Sequence, residues 1–244
     1  MDKYELQKRI DENPDAKLRD IVENMMYDDI ITLRIAPGSK LNINQISAAM
    51  GISRTPVSEA VASLMDRGFV TTHQGQGGCF VIDLNLVDMI SLYQARSAIE
   101  SEAAALCAGS ADDEVVRQLN RLAEAFKESA IKRDVRGMKD TDMPFHRMIV
   151  EHCGNPYLIQ AYDNIRPKLT MYQASMLEFV AQDRNDDNPF NQSVIYNHIS
   201  VASAIRMRMP ELARQSMADH VSASLNYTTI SGHMPDPFSI LQRK

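Results

Sequence analysis

Apolar residues follow an alternating, strand-like period in only one short part of this 244-residue chain. In that part, Phe69–Thr72 and Cys79–Ile82 lie on either side of a glycine-rich turn, a pattern that predicts a β-hairpin with a flexible tip. Before and after it, apolar residues recur every three or four positions, which is the period of a helix. The fold class is therefore predicted to be mainly α, with one small β-hairpin.

Three helices are predicted before the hairpin, at about 15–33, 42–51 and 53–67, and the polar residues 1–12 form an arm or a short helix. Asn42 and Gln45 have the form of a capping box at the start of the second helix. The second and third helices meet at Gly51-Ile52, and the third is amphipathic and followed by the hairpin. This order is typical of a winged helix-turn-helix, which we assign to residues 13–83.

The start of the third helix carries small polar and basic side chains, at the end that enters the major groove in such domains. Arg54 can contact a guanine edge through two hydrogen bonds or hold a phosphate, while Ser53 and Thr55 suit phosphate oxygens at a helix N-terminus. The alternative is a winged helix that binds protein and no DNA.

From Leu84 onward the sequence predicts only helices, in an all-α bundle at 84–235 followed by a tail at 236–244. The breaks are marked by glycine, proline and polar runs: Gly109-Ser110, Gly137, Gly154-Asn155-Pro156, residues 183–189 and Pro210. The six predicted helices cover residues 84–109, 112–134, 137–153, 156–181, 190–208 and 210–231.

Four residues of the helical domain are candidate metal ligands. Asp142 and His146 are four positions apart and so share a helix face, while His198 and His220 lie on the last two helices. One carboxylate and three imidazoles suit Zn²⁺, Ni²⁺ or a similar divalent ion. A buried polar cluster without metal is the alternative, and Pro144 favours a kink that could displace Asp142 from His146.

The winged helix resembles that of the GntR family of repressors. The resemblance lies in Ala36-Pro37-Gly38, in the run from Gly51 to Ala60 that contains Ser-Arg-Thr-Pro-Val, and in Gly68-Phe69-Val70. It implies operator DNA as the partner, although Ser58 stands where the family usually has arginine. The residues predicted to contact DNA are Arg34, Ser53, Arg54, Thr55, Ser58, Gln74 and Gly75.

The helical domain is similar to the FCD ligand-binding domain of FadR-type GntR regulators, in the shorter, VanR-like form. The similarity covers about 84–225 and lies in Arg96-x-x-x-Glu100, Asp142-x-x-Phe145-His146, Gly154-Asn155-Pro156, and the segments around His198 and His220. It implies that Asp142, His146, His198 and His220 hold a metal, which holds a small organic acid, and that Arg96 binds the acid's carboxylate. The alternative for Arg96 is a salt bridge with Glu100. Asn197 departs from the family, which commonly has glutamate there.

Charge and composition are compatible with this prediction. The chain carries a net charge of −6, but residues 33–82 carry four basic and two acidic groups, whereas residues 84–244 carry 17 basic and 20 acidic ones. Phosphates respond to this local charge. No apolar run has the roughly 18–20 residues of a membrane span. Cys79, Cys107 and Cys153 show no metal-type spacing, which favours a reducing, cytoplasmic location.

The sequence therefore predicts a homodimeric transcription regulator, a repressor in function, that binds operator DNA and responds to a small organic acid. Two other classes remain as alternatives. One is a metal-dependent enzyme, although the chain has no HExxH, Gly-x-Ser-x-Gly or P-loop motif. The other is an adaptor whose helical domain binds a partner protein.

Overall fold

The computed structural model describes residues 1–73, 75–182 and 189–230. Gln74, residues 183–188 of the break predicted at 183–189, and the predicted tail at 236–244 lie outside the described residues. The chain divides into two compact units, the first from Met1 to Leu84 and the second beginning at Asn85.

The first unit contains the helices of the winged helix-turn-helix. They are α1 (Lys3–Glu12), α2 (Leu18–Ile31), α3 (Ile43–Met50) and α4 (Arg54–Asp66). The polar segment 1–12 is mostly helical: the Asp2 side chain accepts a hydrogen bond from the Glu5 amide, and α1 packs on α2 and α3. Leu6 is buried there, so the predicted arm is part of the first unit.

The turn between α3 and α4 is formed as predicted. The Asn42 side chain accepts a hydrogen bond from the Gln45 amide at the start of α3, and Gly51 ends this helix in the left-handed region at φ 69°. Val57 and Leu64 on α4 are buried, while Arg54 and Thr55 are exposed. The apolar face of α4 therefore fixes which residues of its first turn face outward.

The wing is a three-stranded antiparallel sheet of β1 (Lys40–Leu41), β2 (Val70–His73) and β3 (Gln76–Val81), in the order β1-β3-β2. The hairpin of β2 and β3 is the predicted one. The sequence did not predict β1, in which Leu41 is buried and Lys40 is exposed. A two-residue strand is too short to show an alternating pattern.

Six helices make up the part of the second unit that the structure describes. They are α5 (Leu86–Ser110), α6 (Asp113–Lys132), α7 (Val135–Glu151), α8 (Pro156–Gln182), α9 (Pro189–Arg206) and α10 (Pro210–Ile230). Helix α5 packs against α7, α8, α9 and α10, and α6 packs against α7 and α9. Residues on α5, α7, α8, α9 and α10 therefore meet in the interior of this unit. None of the described helices has an apolar stretch long enough to cross a membrane.

The break predicted at Gly137 is wrong. The chain turns at Arg133, which has φ 56°, and α7 begins at Val135 with Gly137 in its first turn. A Cβ at Gly137 would collide with Ser129 on α6 and with Asp134, so this glycine allows α6 and α7 to approach closely.

Pro144 does not interrupt α7, which continues through it to Glu151. A proline inside a helix leaves the carbonyl four residues earlier without its partner. That carbonyl belongs to Asp140, and both Asp140 and Pro144 are exposed. Water can satisfy the carbonyl there, and Asp142 and His146 keep their common inward face.

Candidate DNA interface and metal centre

A groove of about 700 Å³ lies on the first unit, between the starts of α3 and α4 and the wing. Arg54, Thr55 and Ser58 line it from the exposed face of α4, together with Glu59. Arginine, hydroxyl and amide groups in one groove can donate hydrogen bonds to base edges and phosphates. The other residues lining it are Lys40, Leu41, Asn42, Ile43, Asn44, Gly78 and Cys79.

Three other described residues that were predicted to contact DNA do not line this groove. Ser53 is the N-cap residue of α4, and its hydroxyl forms no capping hydrogen bond. Gly75 is exposed at the wing tip with φ 79°. Arg34 lies elsewhere in the first unit, where its guanidinium pairs with the buried carboxylate of Asp29. The structure thus brings together Arg54, Thr55 and Ser58 and leaves Arg34 apart.

Lys40 is a basic residue of the groove that the sequence analysis did not select. Its ammonium lies 5.7 Å from the centre of the Phe80 ring, and its side chain passes Gly78 on β3. A Cβ at Gly78 would come within 2.7 Å of Lys40 Cε. The wing glycine therefore makes room for the lysine, which places a second cation in the same groove as Arg54. Only the local excess of positive charge indicated it in the sequence.

The four candidate metal ligands converge in the interior of the second unit. His146 Nε2 lies 3.1 Å from His220 Nε2 and 3.7 Å from Asp142 Oδ1, and His198 Nε2 lies 3.1 Å from the same carboxylate oxygen. One potential ligand atom from each residue lies within 4.8 Å of those of the other three. All four side chains are buried.

The three shorter distances, 3.1, 3.1 and 3.7 Å, suit a first-row metal ion. With metal–ligand bonds of about 2.0–2.1 Å, neighbouring ligand atoms lie about 2.9 Å apart at a right angle and about 3.4 Å apart at a tetrahedral angle. Three imidazole nitrogens and a carboxylate are also the ligand types that Zn²⁺ and Ni²⁺ accept. The residues present therefore fit a divalent ion.

Burial and close contact shift the pKa values of this cluster. Burial by itself raises the pKa of Asp142. The hydrogen bonds to His146 and His198 lower it by more than burial raises it, so the pKa is held well below the usual range. Burial, followed by the neighbouring His198 and His146, lowers the pKa of His220 well below its usual value. Asp142 is thus kept as an anion and His220 as a neutral imidazole, which are the forms that bind a metal.

Glu100 lies directly behind His146. Its Oε2 is 2.7 Å from His146 Nδ1, and its Oε1 accepts a hydrogen bond of 2.8 Å from Arg96 Nε. Burial raises the pKa of Glu100, but the charges of Arg96 and His146 lower it more. A carboxylate on the far nitrogen of a metal-binding histidine orients the ring and raises its basicity. From the sequence, Glu100 is predicted only as a partner of Arg96.

Aromatic rings form the walls of the cluster. Phe126 stacks on the His198 ring with centroids 4.0 Å apart, and Phe145 lies edge-on to His198 and to His146 at 4.9 and 5.5 Å. These apolar walls restrict rotation of the two imidazoles. They also exclude water from that side of the cluster.

Two further polar side chains, both on α8, are buried beside the cluster without having been predicted. Gln173 Nε2 donates a hydrogen bond of 2.7 Å to Asp142 Oδ2, the carboxylate oxygen that faces away from the histidines. Burial raises the pKa of Tyr162, and the charges of Glu100, Arg96 and Asp142 also act on it. No fixed spacing links α8 to α5 or α7, so the sequence offered no signal for either residue.

A winged helix-turn-helix with a cationic groove, followed by a helical unit with a buried Asp-His₃ cluster, defines a DNA-binding protein with a second domain that could hold a metal ion. The model of the bacterial regulatory proteins of the gntR family matches residues 18–81, and the FCD domain model matches residues 91–223. The chain therefore belongs to the GntR family of transcription regulators, in the FadR subfamily with a C-terminal FCD domain. This is a family of regulators and not of enzymes.

Characterised relatives and solved structures agree with this assignment. The chain is 22% identical to the gluconate operon transcriptional repressor of Bacillus licheniformis, over 85% of this chain and 81% of that protein. It is 19% identical to the repressor RspR of Escherichia coli, over 86% and 88% of the two chains.

Among solved structures, E. coli McbR/YncC has a TM-score of 0.70 at 17% identity, covering 89% of this chain and all of that one. A GntR regulator from Rhodococcus sp. RHA1 has a TM-score of 0.66 at 20% identity, covering 88% and 97%. These similarities show the common fold.

Proposed function

We propose that this protein is a ligand-responsive repressor whose helical domain binds a divalent metal ion, Zn²⁺ or Ni²⁺, together with a small organic acid. The observation that carries the proposal is the convergence of Asp142, His146, His198 and His220 in a buried cluster with the spacing of metal ligands. When bound, the metal supplies a Lewis-acidic centre for the acid's carboxylate.

Arg96 is the second element of the acid site. It is 1% exposed, and although its Nε is paired with Glu100, its Nη2 has no hydrogen-bond partner within the described part of the chain. A buried guanidinium N–H is costly to leave unpaired, and a carboxylate is its strongest partner. The predicted salt bridge with Glu100 therefore exists and leaves one side of Arg96 for the acid.

The charges of the site also favour an anion. Asp142 and Glu100 are both held ionised, since the pKa of each is lowered. A divalent ion and Arg96 outweigh these two carboxylates by one positive charge. In a water-poor interior such an excess attracts an anion strongly.

DNA binding is assigned to Arg54, Thr55, Ser58 and Lys40 in the groove, with Ser53 and Gly75 beside it. In a homodimer, two winged helices would bind the two halves of a two-fold operator. The acid would alter operator affinity by binding with unequal affinity to two arrangements of the winged helices, one that can bind the operator and one that cannot. The linker around Asp83–Leu86 would bend between them.

A protein-binding adaptor without an effector is the competing function, and it predicts no response to any acid.

Thermal unfolding tests the acid site. The full-length protein, loaded with Zn²⁺ or Ni²⁺, is melted with a panel of C2–C6 mono- and dicarboxylates, and again after removal of metal by a chelator. Acid at 100 times its Kd stabilises the folded state by about 2.7 kcal/mol, which gives a measurable rise in Tm. We expect at least one acid to raise the Tm of the metal-loaded protein only. Equal Tm shifts with and without metal would show that the acid site does not need a metal. No shift with any acid would favour the protein-binding adaptor.

A further inference from the structure

The first turn of α5 is held to α8 by two side chains that lie one turn apart on α8. Lys168 Nζ lies 2.6 Å from Asp88 Oδ1, and the Tyr172 hydroxyl donates a hydrogen bond of 2.7 Å to Asp88 Oδ2. The same hydroxyl accepts a hydrogen bond of 3.2 Å from the backbone N–H of Asn85. Asn85 in turn caps α5, because its side chain accepts a hydrogen bond from the Asp88 amide. We call these four residues, Asn85, Asp88, Lys168 and Tyr172, the α5 clamp.

The α5 clamp holds the chain at the point where it leaves the first unit. Leu84 is the last residue of the first unit, and Asn85 is the first residue of the second. Before this point, the Ile82 N–H donates a backbone hydrogen bond of 3.0 Å within the first unit. Two residues, Asp83 and Leu84, therefore separate a residue bonded to the first unit from one bonded to α8. A bend of the linker must occur at these two residues or break the bond between Asn85 and Tyr172.

The residue after Tyr172 connects α8 to the metal cluster. Gln173 Nε2 donates a hydrogen bond of 2.7 Å to Asp142 Oδ2. Consecutive residues of a helix point about 100° apart, so α8 presents Tyr172 to the α5 clamp and Gln173 to the cluster. The other carboxylate oxygen, Asp142 Oδ1, lies 3.1 Å from His198 Nε2 and is placed to bind a metal ion. An ion bound at Oδ1 restrains the carboxylate to which α8 is bonded.

We propose that α8 couples the metal cluster to the linker through Gln173 at one end of the route and Tyr172 at the other. The inference rests on the proposed function, in which the cluster binds a divalent ion. A shift of α8 that releases Asn85 from Tyr172 also displaces Gln173, since both side chains are fixed to the same helix. A metal ion that restrains Asp142 therefore favours the closed clamp, in which Asn85 is held. Coupling requires an element with two arrangements that both sites bias, and here that element is the α5 clamp, closed or open.

Hydrogen–deuterium exchange of the full-length protein measures whether the α5 clamp responds to metal. Exchange is followed by mass spectrometry in peptides that cover residues 85–89, with the protein metal-free and saturated with Zn²⁺. The amides of Asn85, Asp88 and Met89 are hydrogen-bonded in the closed clamp, the first to Tyr172 and the other two to Asn85. We expect Zn²⁺ to slow their exchange by at least about fivefold, the lower range of coupling between two sites.

Two variants cut the route, one at each end. Tyr172→Phe removes the hydroxyl and Gln173→Met removes the amide, and each keeps nearly the same side-chain volume. In both variants saturating Zn²⁺ should still bind, but it should change the exchange of residues 85–89 by less than about twofold. The matched controls are Tyr157→Phe and Gln160→Met, because Tyr157 and Gln160 lie exposed on the same helix. Both controls should keep the wild-type response.

Metal content and Tm of each protein are measured first, so a loss of fold or of metal is recognised. If Gln173→Met loses its metal, Tyr172→Phe decides alone, because its hydroxyl lies in the α5 clamp. A Zn²⁺ effect on residues 85–89 that persists in Tyr172→Phe would overturn the route through α8. Unchanged exchange of these residues in the wild-type protein with Zn²⁺ bound would also overturn it and leave the metal site standing. If the wild-type protein binds no Zn²⁺, the proposed function fails and this inference fails with it.

Discussion

Replacing His198 or His220 by alanine is expected to leave the purified protein without stoichiometric metal. Each change removes one of four ligands that come from three helices, α7, α9 and α10, and the remaining three no longer surround the ion. The loss of affinity should exceed the about 10- to 100-fold that removal of an outer-sphere partner costs. Metal content by elemental analysis after dialysis, and competition with a chromogenic chelator, measure it directly.

Two further variants complete this series. Glu100→Gln keeps the volume behind His146 but replaces the carboxylate that orients its ring, so affinity should fall by about 10- to 100-fold and not be abolished. His152→Ala is the matched control, because His152 lies exposed at the end of α7. It should retain full metal. Stoichiometric metal in both His198→Ala and His220→Ala, each with wild-type helical content by circular dichroism, would refute the four-residue site.

Replacing Arg54 by alanine is expected to abolish most of the operator specificity. A bidentate arginine–guanine contact contributes about 1–3 kcal/mol of discrimination. In a dimer that reads two half-sites, the loss is about 30- to 20,000-fold in affinity for the specific site. The operator is first selected from a random-sequence library with the wild-type protein, and fluorescence anisotropy then compares it with a scrambled duplex.

Lys40→Ala should behave differently from Arg54→Ala. A lysine that contacts phosphate contributes equally on all sequences, so both duplexes should be bound more weakly and the salt dependence should become shallower by about one unit for each half-site. Lys8→Ala is its control, since Lys8 lies exposed on α1 outside the groove.

For Arg54→Ala, an unchanged ratio of the affinities for the operator and the scrambled duplex would show that Arg54 does not read the operator.

The fold could be predicted largely from hydrophobic period and capping residues. Asn42 and Gly51 mark the ends of α3 by local chemistry, and the pattern of α4 fixes its buried face, so neither depends on the rest of the chain. The position of β1 depends on a partner distant in sequence, because Lys40–Leu41 becomes a strand only where β3 lies beside it. Gly137 lies inside α7 because the chain turns earlier, at Arg133, and its missing side chain leaves room for Ser129 on α6.

The residues of the candidate site also fall into those that could be predicted from the sequence and those that could not. The pair Asp142 and His146 follows from helical spacing, and His198 and His220 were candidates from their places on the last two helices. The resemblance to the FCD domain supported this set and supplied the role of Arg96. Glu100 and Gln173 approach these residues from α5 and α8, across helix packings that no spacing in the sequence encodes. Their roles follow only from the distances to His146 and Asp142.

The most direct test of the account is operator binding by the wild-type protein in four states: metal-free and metal-loaded, each with and without the acid that raises Tm most. Fluorescence anisotropy on the selected operator gives the Kd of each state. We predict that the acid changes the operator Kd of the metal-loaded protein by at least about fivefold, the lower range of allosteric coupling, and leaves the metal-free protein unchanged. An operator Kd that the acid leaves unchanged in the metal-loaded state, or shifts equally in both states, would contradict a metal-dependent acid sensor.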